Sequence, residues 1–599
     1  MSAKHFINDP TALVNTALQS ITYTNPSVAL DAENKILYRR PVGNSSNNKD
    51  EHQVSLISGG GAGHEPSFAA MVGAGLLSAA VSGTIFASPS AEQVRKAIMG
   101  RVDTGRGALV VVMNYTGDIL NFGMAVEKAK AAGLDVDMVV VADDVGVGRA
   151  KGGKVGRRGI AGTVLVQKIA GALAAQGRSL QEVAKVARLT AANLVSVGAS
   201  LEHVHVPGRA APDPKSKDSL GFDEVEVGMG IHNEPGSGRA KVQLPELVKT
   251  MLSQLLDQSD ADRAFLNVNS NEVVLLVNNL GGVSPLELGG ITAEVVGQLG
   301  DQWGIRPVRI LSGTYMTSLN GLGFSISLLN VVNTDIGGPS MIQLLDAPCE
   351  ATGWAAPIRK ETWEAKNEAT RDDNTALGGE TKSSGLNIDA ALMKETLTAG
   401  LQAVIAAEPD VTRYDTVVGD GDCGIGLKRG AEGILNHLSK TKLTGDVIMD
   451  LANIVSVVEV DMDGTSGAIY SIFLNALLHS LKMFAPGNGS DVQIWTGALN
   501  QSCEALSKYT PAKPGDRTLV DALYPFVEVL GKTGDLKKAA EASKEAALGT
   551  KGMKASLGRT VYVGGSGFEE VPDPGAWGLA CFFLGLAGLK PTEEGWDVI

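Results

Sequence analysis

Three aspartates stand within eight residues of one another: Asp415, Asp420 and Asp422, in RYDTVVGDGDCGIGLKRG. Carboxylates this close repel one another unless a cation sits between them. Short, rigid oxygen donors on a glycine-punctuated turn suit Mg2+. Calcium suits them poorly, because the spacing lacks a twelve-residue loop with a closing Glu. Cys423, Gly424, Ile425 and Gly426 follow at what reads as a helix start, where open backbone N–H groups suit phosphate oxygens. An acidic surface turn or a helix cap is the plainer reading of the same residues.

Three further loops could complete such a site. MDGTSGA places Thr465 and Ser466 between glycines, KPGDRTLVDAL carries Asp516 and Arg517, and LGRTVYVGGSGFEEVPDPGA carries Arg559 and a Pro-Gly turn. Taken singly, each reads as a cap or a loop. No GxxxxGK[ST] occurs, which excludes a P-loop kinase.

The N-terminal half offers histidines. SGGGAGHEPSF follows an expected strand, and its glycines allow close backbone approach to a small ligand beside His64. MNYTGDILNF ends another strand, with Asp118 in the corresponding strand-end loop. A His and an Asp there are residue types for acid/base work, or equally a bonded structural His and a helix cap. His232 lies in VGMGIHNEPG, a turn framed by Gly and Pro, with no second His at ligand spacing beside it. A neutral imidazole so held can act as nucleophile or as acid/base, and the residues alone leave both open.

These residues need elements to position them. Val54–Gly60, Gly107–Tyr115 and Val136–Val145 read as buried strands, and Pro89–Met99 and Asn121–Gly133 read as helices between them. That is the βαβ rhythm of a mainly parallel sheet. Residues 160–200 read as helical. After a Pro- and charge-rich connector (Pro207–Asp218), LPELVKTMLSQLL reads as a helix, and EVVLLVNNLGG, IRPVRILSGTYM and GFSISLLNV read as strands. The expected organisation is an α/β region over 1–345, in subdomains 1–200 and 201–345. A polar linker over 346–385 and an all-α domain of about eight helices over 386–599 follow.

Composition narrows the class. The 599 residues carry a formal net charge of −14, which argues against nucleic-acid or anionic-membrane partners. Four scattered cysteines without a CxxC pair suit a reducing compartment. No signal core and no membrane-length apolar run is apparent, so a cytoplasmic protein is expected.

Taken together, these motifs resemble a known family. GGGAGHEP, NYTGD, GMGIHNEPG and SGTYMTSLNGLGFSISLL are similar to the substrate domain of dihydroxyacetone (glycerone) kinases; GDGDCG, GTSGA, PGDRT and DPGA are similar to their nucleotide domain. The resemblance covers nearly the whole chain, in the order of the single-chain, ATP-dependent enzymes.

The resemblance implies ATP-dependent phosphorylation of dihydroxyacetone, and of glyceraldehyde, to the triose phosphate. It implies that His232 adds to the ketone carbon as a hemiaminal, which would select against glycerol. Asp118 would accept the proton of the phosphorylated hydroxyl, and His64 would orient substrate and stabilise charge. Gly61, Ala62, Gly63 and Met113 would complete the substrate site; Met113 stands where the family pattern has Lys. Asp415, Asp420 and Asp422 would hold two Mg2+. Cys423, Gly424, Ile425, Gly426, Thr465, Ser466, Thr518, Leu519, Arg559, Asp573, Pro574 and Gly575 would contact ATP. The implied nucleotide domain is an eight-helix barrel, and the implied assembly is a homodimer. Two other activities occur in the resemblance: FAD cleavage to AMP and cyclic FMN, and non-catalytic ketose sensing, which the intact Asp triad disfavours.

Overall fold

Apolar runs flanked by glycine loops build the first sheet. Its strands are β1 (Val28–Asp31), β2 (Ile36–Arg39), β3 (Ser55–Ala62), β4 (Ala79–Ile85), β5 (Ala108–Met113) and β6 (Val136–Val141). They lie in the order β1-β2-β4-β3-β5-β6. The four strands β4, β3, β5 and β6 are parallel, and the β1–β2 hairpin adds antiparallel to β4. β5 is buried along its whole length, as expected of a parallel strand covered on both faces. The chain described is a computed structural model covering residues 4–41, 52–210, 219–268, 272–355, 358–365, 384–462, 464–484, 491–555, 557 and 569–590. It divides into two units, residues 1–369 and 370–599.

A second sheet completes the first unit. It holds β7 (Leu194–Ser200), β8 (Val225–Val227), β9 (Gly238–Ala240), β10 (Val273–Asn279), β11 (Arg309–Gly313) and β12 (Gly323–Asn330), in the order β11-β10-β12-β7-β8-β9. Only β10 and β11 pair in parallel; the other neighbours are antiparallel. Helices Thr163–Ala175 and Leu180–Ala192 share one apolar core with residues of both sheets, including Leu109 and Val111 of β5 and Val274 and Leu276 of β10. Helices Ala91–Gly100 and Thr116–Ala131 cover the outer face of the first sheet. Leu244–Leu256 and Pro285–Trp303 cover the outer face of the second. Ser90 and Gln93 form the capping box that starts Ala91–Gly100.

Three expectations need correction. Residues 194–200 are a strand rather than the end of a helix; Val195 and Val197 point to the core on one side of the sheet, as period-two alternation requires. Helix Thr116–Ala131 starts five residues before Asn121, so Asp118 stands in its first turn and not in a loop. Residues 346–355 pack on the first unit, with Ala351 and Trp354 buried in its core and Asp346 paired with Arg309.

The described regular elements of the second unit are all helices. Among its described residues eight helices run over Ala390–Val418, Cys423–Lys440, Val447–Asp461, Gly464–Met483, Asp491–Leu506, Val520–Thr533, Leu536–Gly549 and Pro574–Leu586. Their apolar faces line a cavity of about 1120 Å³, with Leu401, Ile454, Phe473, Leu523 and Phe582 on its wall. Among the described residues no helix is long and apolar enough to cross a membrane.

Candidate active site

The turn that carries His232 leaves the second sheet between β8 and β9. Gly228 (φ +72°) begins it, and Asn233 (φ +66°) reverses it. Left-handed backbone at a non-glycine residue needs support. Asn233 has it: Oδ1 accepts from the Val204 N–H at 2.9 Å, and Nδ2 donates to the Val204 carbonyl at 2.9 Å. Ser318 Oγ donates to the Ile231 carbonyl at 2.6 Å, and Lys151 Nζ donates to the carbonyls of Pro235 and Gly236. The imidazole is thus held on a rigid, externally braced loop. Its Nδ1 lies 2.9 Å from Glu234 Oε1, and its backbone N–H donates to Glu234 Oε2 at 2.8 Å.

His64 arrives from the end of β3 and is fully buried. Its Nδ1 is 2.8 Å from the Thr317 carbonyl, which can only accept, so Nδ1 carries the proton. Its Nε2 is 3.0 Å from His232 Nε2. Burial, reinforced by the charge of His232, lowers the His64 pKa to about 3 against the pull of the Thr317 carbonyl. Gly63 (φ +103°) makes this approach possible. A Cβ there would meet the Phe86 ring at 2.8 Å, and its carbonyl already accepts from the Leu319 N–H at 2.7 Å.

Asp118 closes the group. It is buried, and its Oδ1 has no hydrogen-bond partner among the described residues. A Cβ at Gly60 would lie within 3.9 Å of both carboxylate oxygens, so that glycine leaves the space above β3 open. Burial raises the Asp118 pKa, partly offset by a hydrogen bond from Ser88 and by the charge of His232. Two facing imidazoles and a buried carboxylate of raised pKa therefore share one end of the first unit. That set can form and release a bond to a carbonyl and take a proton from a neighbouring hydroxyl.

The acidic cluster forms in the second unit. Ligand oxygens of Asp415, Asp420 and Asp422 all lie within 4.8 Å of one another. Asp415 is in the last turn of Ala390–Val418 rather than on the turn itself; Gly421 (φ +81°) folds the other two back toward it. Asp415 Oδ2 accepts from the Cys423 N–H at 3.0 Å, which fixes the start of Cys423–Lys440. Gly424 packs against the neighbouring helix, where a Cβ would sit 2.3 Å from Thr412 Oγ1 and 2.8 Å from the Glu408 carbonyl. Among the described residues nothing lies within 4 Å of a Cβ at Gly426. Three hard oxygen donors beside an open helix N-terminus could hold a divalent cation and a phosphate.

Other loops converge there. Cys423 Sγ is 3.9 Å from Ser466 Oγ, beside Thr465. Asp573 caps Pro574–Leu586 through the Ala576 N–H, and burial raises its pKa to about 7 although the Ala576 N–H and Arg517 oppose this. A Cβ at Gly575 would lie 3.6 Å from Leu519 Cβ, and the Thr518 N–H donates to Asp521. Arg517 (φ +60°) ties this loop to the carbonyls of Met553 and Val571. Arg559 lies outside the described residues.

Comparison with known proteins supplies the context. Residues 19–353 match the Dak1 domain, and residues 417–588 match the DAK2 domain. A dihydroxyacetone kinase of Pichia angusta is 43% identical over 98% of this chain and 98% of its own length. The chain belongs to the dihydroxyacetone kinase family. Further similar members are dihydroxyacetone kinase 1 of Saccharomyces cerevisiae (42% identical, 98% of this chain, 99% of that protein) and human triokinase/FMN cyclase (35%, 98% and 99%). The crystal structure of the C. freundii dihydroxyacetone kinase matches with a TM-score of 0.63 at 30% identity, over 98% of this chain and 100% of that one. The same enzyme has been solved with AMP-PNP and Mg2+ (TM-score 0.62, 30% identity, the same shares).

Within this family member, the structure brings His64 and His232 into contact just after Gly61–Gly63 and sets Asp118 beside Gly60, with Ala62 buried. Met113 differs: at 1% exposure its side chain belongs to the central core. Sequence reasoning missed Glu234, Thr317, Ser88 and Tyr115. Tyr115 sets its ring edge-on to His232 at 4.7 Å. Of these only Glu234 left a signal, as an acid two residues after the histidine.

Proposed function

We propose that this chain transfers the terminal phosphate of ATP to dihydroxyacetone, and to glyceraldehyde, with the ketone held as a hemiaminal on His232. One observation carries the reading: His232 Nε2 stands on a braced turn 3.0 Å from a buried His64 nitrogen, while Nδ1 is tied to Glu234. Only Nε2 is then left to form a bond. Nε2 gives up its proton to the facing His64 nitrogen and adds to the carbonyl carbon, the π pair moves to oxygen, and that oxygen takes the proton from His64. Asp118, with no partner at Oδ1 among the described residues, accepts in its carboxylate form the proton of the terminal hydroxyl that receives phosphate. Glycerol, without a carbonyl, cannot be tethered.

Asp415, Asp420 and Asp422 would hold two Mg2+, and the helix start at Cys423–Gly426 would take phosphate oxygens. When bound, Mg2+ offsets the charge of the transferring phosphoryl group. The relation to the C. freundii kinase solved with AMP-PNP and Mg2+ supports this assignment. The test is ADP release with ATP, Mg2+ and each of dihydroxyacetone, glyceraldehyde and glycerol. Turnover on the two trioses and none on glycerol is expected; equal turnover on glycerol removes the covalent reading. The relative named triokinase/FMN cyclase supports a second reading, so FAD belongs in the same assay, with cyclic FMN as the product sought.

A further inference from the structure

We infer that Glu234 is a positioning residue for the reaction: it holds the His232 ring with Nδ1 protonated and remains its counter-ion while Nε2 carries the ketone. The inference rests on the covalent reading of His232.

The hydrogen-bond partners assign the protons. Thr317 takes the proton of His64 Nδ1, so His64 Nε2 presents a lone pair. His232 Nε2, 3.0 Å away, must then be N–H, because two facing lone pairs repel. Glu234 Oε1, 2.9 Å from His232 Nδ1, is an acceptor, so Nδ1 is N–H as well. The resting ring is an imidazolium facing a carboxylate. Glu234 is ionised throughout the working range: burial pushes its pKa up, but hydrogen bonds and charge from His232 outweigh that and lower it to about 2.

This changes the account of addition. The nucleophilic nitrogen rests capped by a proton. Forming the Nε2–carbon bond requires that proton to leave Nε2 for the facing His64 nitrogen and to reach the former carbonyl oxygen. The ring keeps its Nδ1 proton and its single positive charge before and after. Atoms and charge balance with no outside acid, and a carboxylate on Nδ1 offsets the ring's charge throughout. Other groups nearby do not take that place: Arg158 is a cation committed to Asp144 and the Gly228 carbonyl, burial keeps the Tyr115 hydroxyl neutral, and Asp118 acts on His232 by charge at a distance, whereas Glu234 is the carboxylate bonded to Nδ1.

Glu234 is one of several braces of the turn: its Oε2 accepts the His232 N–H at 2.8 Å, a bond that the amide oxygen of Gln can keep. Ser318, Asn233, Lys151 and Arg158 brace its backbone independently. The carboxylate also occupies room that a side chain at 230 would fill: a Cβ at Gly230 would lie 2.1 Å from Glu234 Oε2. Beyond its bond to the His232 N–H, what the residue supplies is charge at Nδ1.

The test uses the full chain labelled with 15N-histidine and dihydroxyacetone labelled with 13C at its carbonyl, without nucleotide. Wild type and Glu234→Gln are compared by NMR and by ketone titration. In wild type the carbonyl signal should move to that of a hemiaminal carbon, with His232 Nδ1 protonated in free and bound protein. Glu234→Gln should bind the ketone about ten- to hundredfold more weakly, the loss expected for a charge-assisted bond, and leave glycerol affinity unchanged. Wild-type adduct affinity in Glu234→Gln overturns the inference while the covalent reading stands. No adduct in wild type removes both. Should Glu234→Gln not fold, the wild-type signals decide: an unprotonated Nδ1 in the adduct overturns the inference, and a protonated one sustains it.

Discussion

His64 and His232 meet nitrogen to nitrogen, with Nε2 atoms 3.0 Å apart and ring planes 81° apart. Thr317 anchors the far side of one ring and Glu234 the far side of the other. Two strands of different sheets thus deliver one reactive pair, and neither ring can turn without losing its anchor.

The pair predicts a selectivity effect. His232→Ala should raise the Michaelis constant for dihydroxyacetone and relax discrimination against glycerol, measured as the ratio of kcat/KM values. Unchanged discrimination would count against a covalent tether. The turn should survive, since its braces act on backbone atoms.

Asp118 predicts a pH effect. As a base it works ionised, so rate is lost as pH falls through its pKa. Burial raises that pKa, so the acidic limb of kcat should lie above the usual aspartate value of about 3.9. Ser88→Ala removes a bond that favours the ionised form and should move the limb further up. A limb that moves down would oppose the assignment. Asp118→Asn should lower kcat by about 10²- to 10⁴-fold while ketone binding persists in titration.

The acidic cluster predicts a separation of functions. Asp420→Ala should abolish turnover and weaken Mg2+ binding, yet leave ketone binding in the first unit intact. Calorimetric titration of wild type with Mg2+ in the presence of a non-hydrolysable ATP analogue should give two ions per chain. Normal turnover in Asp420→Ala would remove the metal assignment.

Much of the scaffold was readable because local and tertiary preferences agree. LPELVKTMLSQLL is helical over Leu244–Leu256, with Pro in the first turn and leucines at helical spacing, and the apolar run of β10 is a buried strand. Other parts were hidden for physical reasons. The helix that carries Asp118 starts at Thr116 behind Tyr115, a cap residue that makes no side-chain cap bond, so no residue type announced it. The helix that carries Asp415 runs through Pro409, where a break would be expected. β7 follows its helix with neither Gly nor Pro between them. The site histidines stood out through their glycine frames. Their partners Thr317 and Glu234 did not, because one comes from 253 residues away and the other depends on how a turn closes.

Gly424 predicts a stability effect. Gly424→Ala would place a methyl 2.7 Å from the Thr412 backbone nitrogen and 2.8 Å from the Glu408 carbonyl. Separating the two helices should cost about 1–3 kcal/mol, more than alanine's helix preference of about 1 kcal/mol returns. Thermal melting should show a lower midpoint, and nucleotide affinity should fall with it. An unchanged midpoint would mean that these helices do not pack as described.

The most direct measurement is a crystal structure of the protein soaked with dihydroxyacetone at neutral pH. The account predicts continuous density from His232 Nε2 to the central carbon of the triose, with a terminal hydroxyl at Asp118. A ketone lodged elsewhere, or resting beside an unmodified His232, would contradict it.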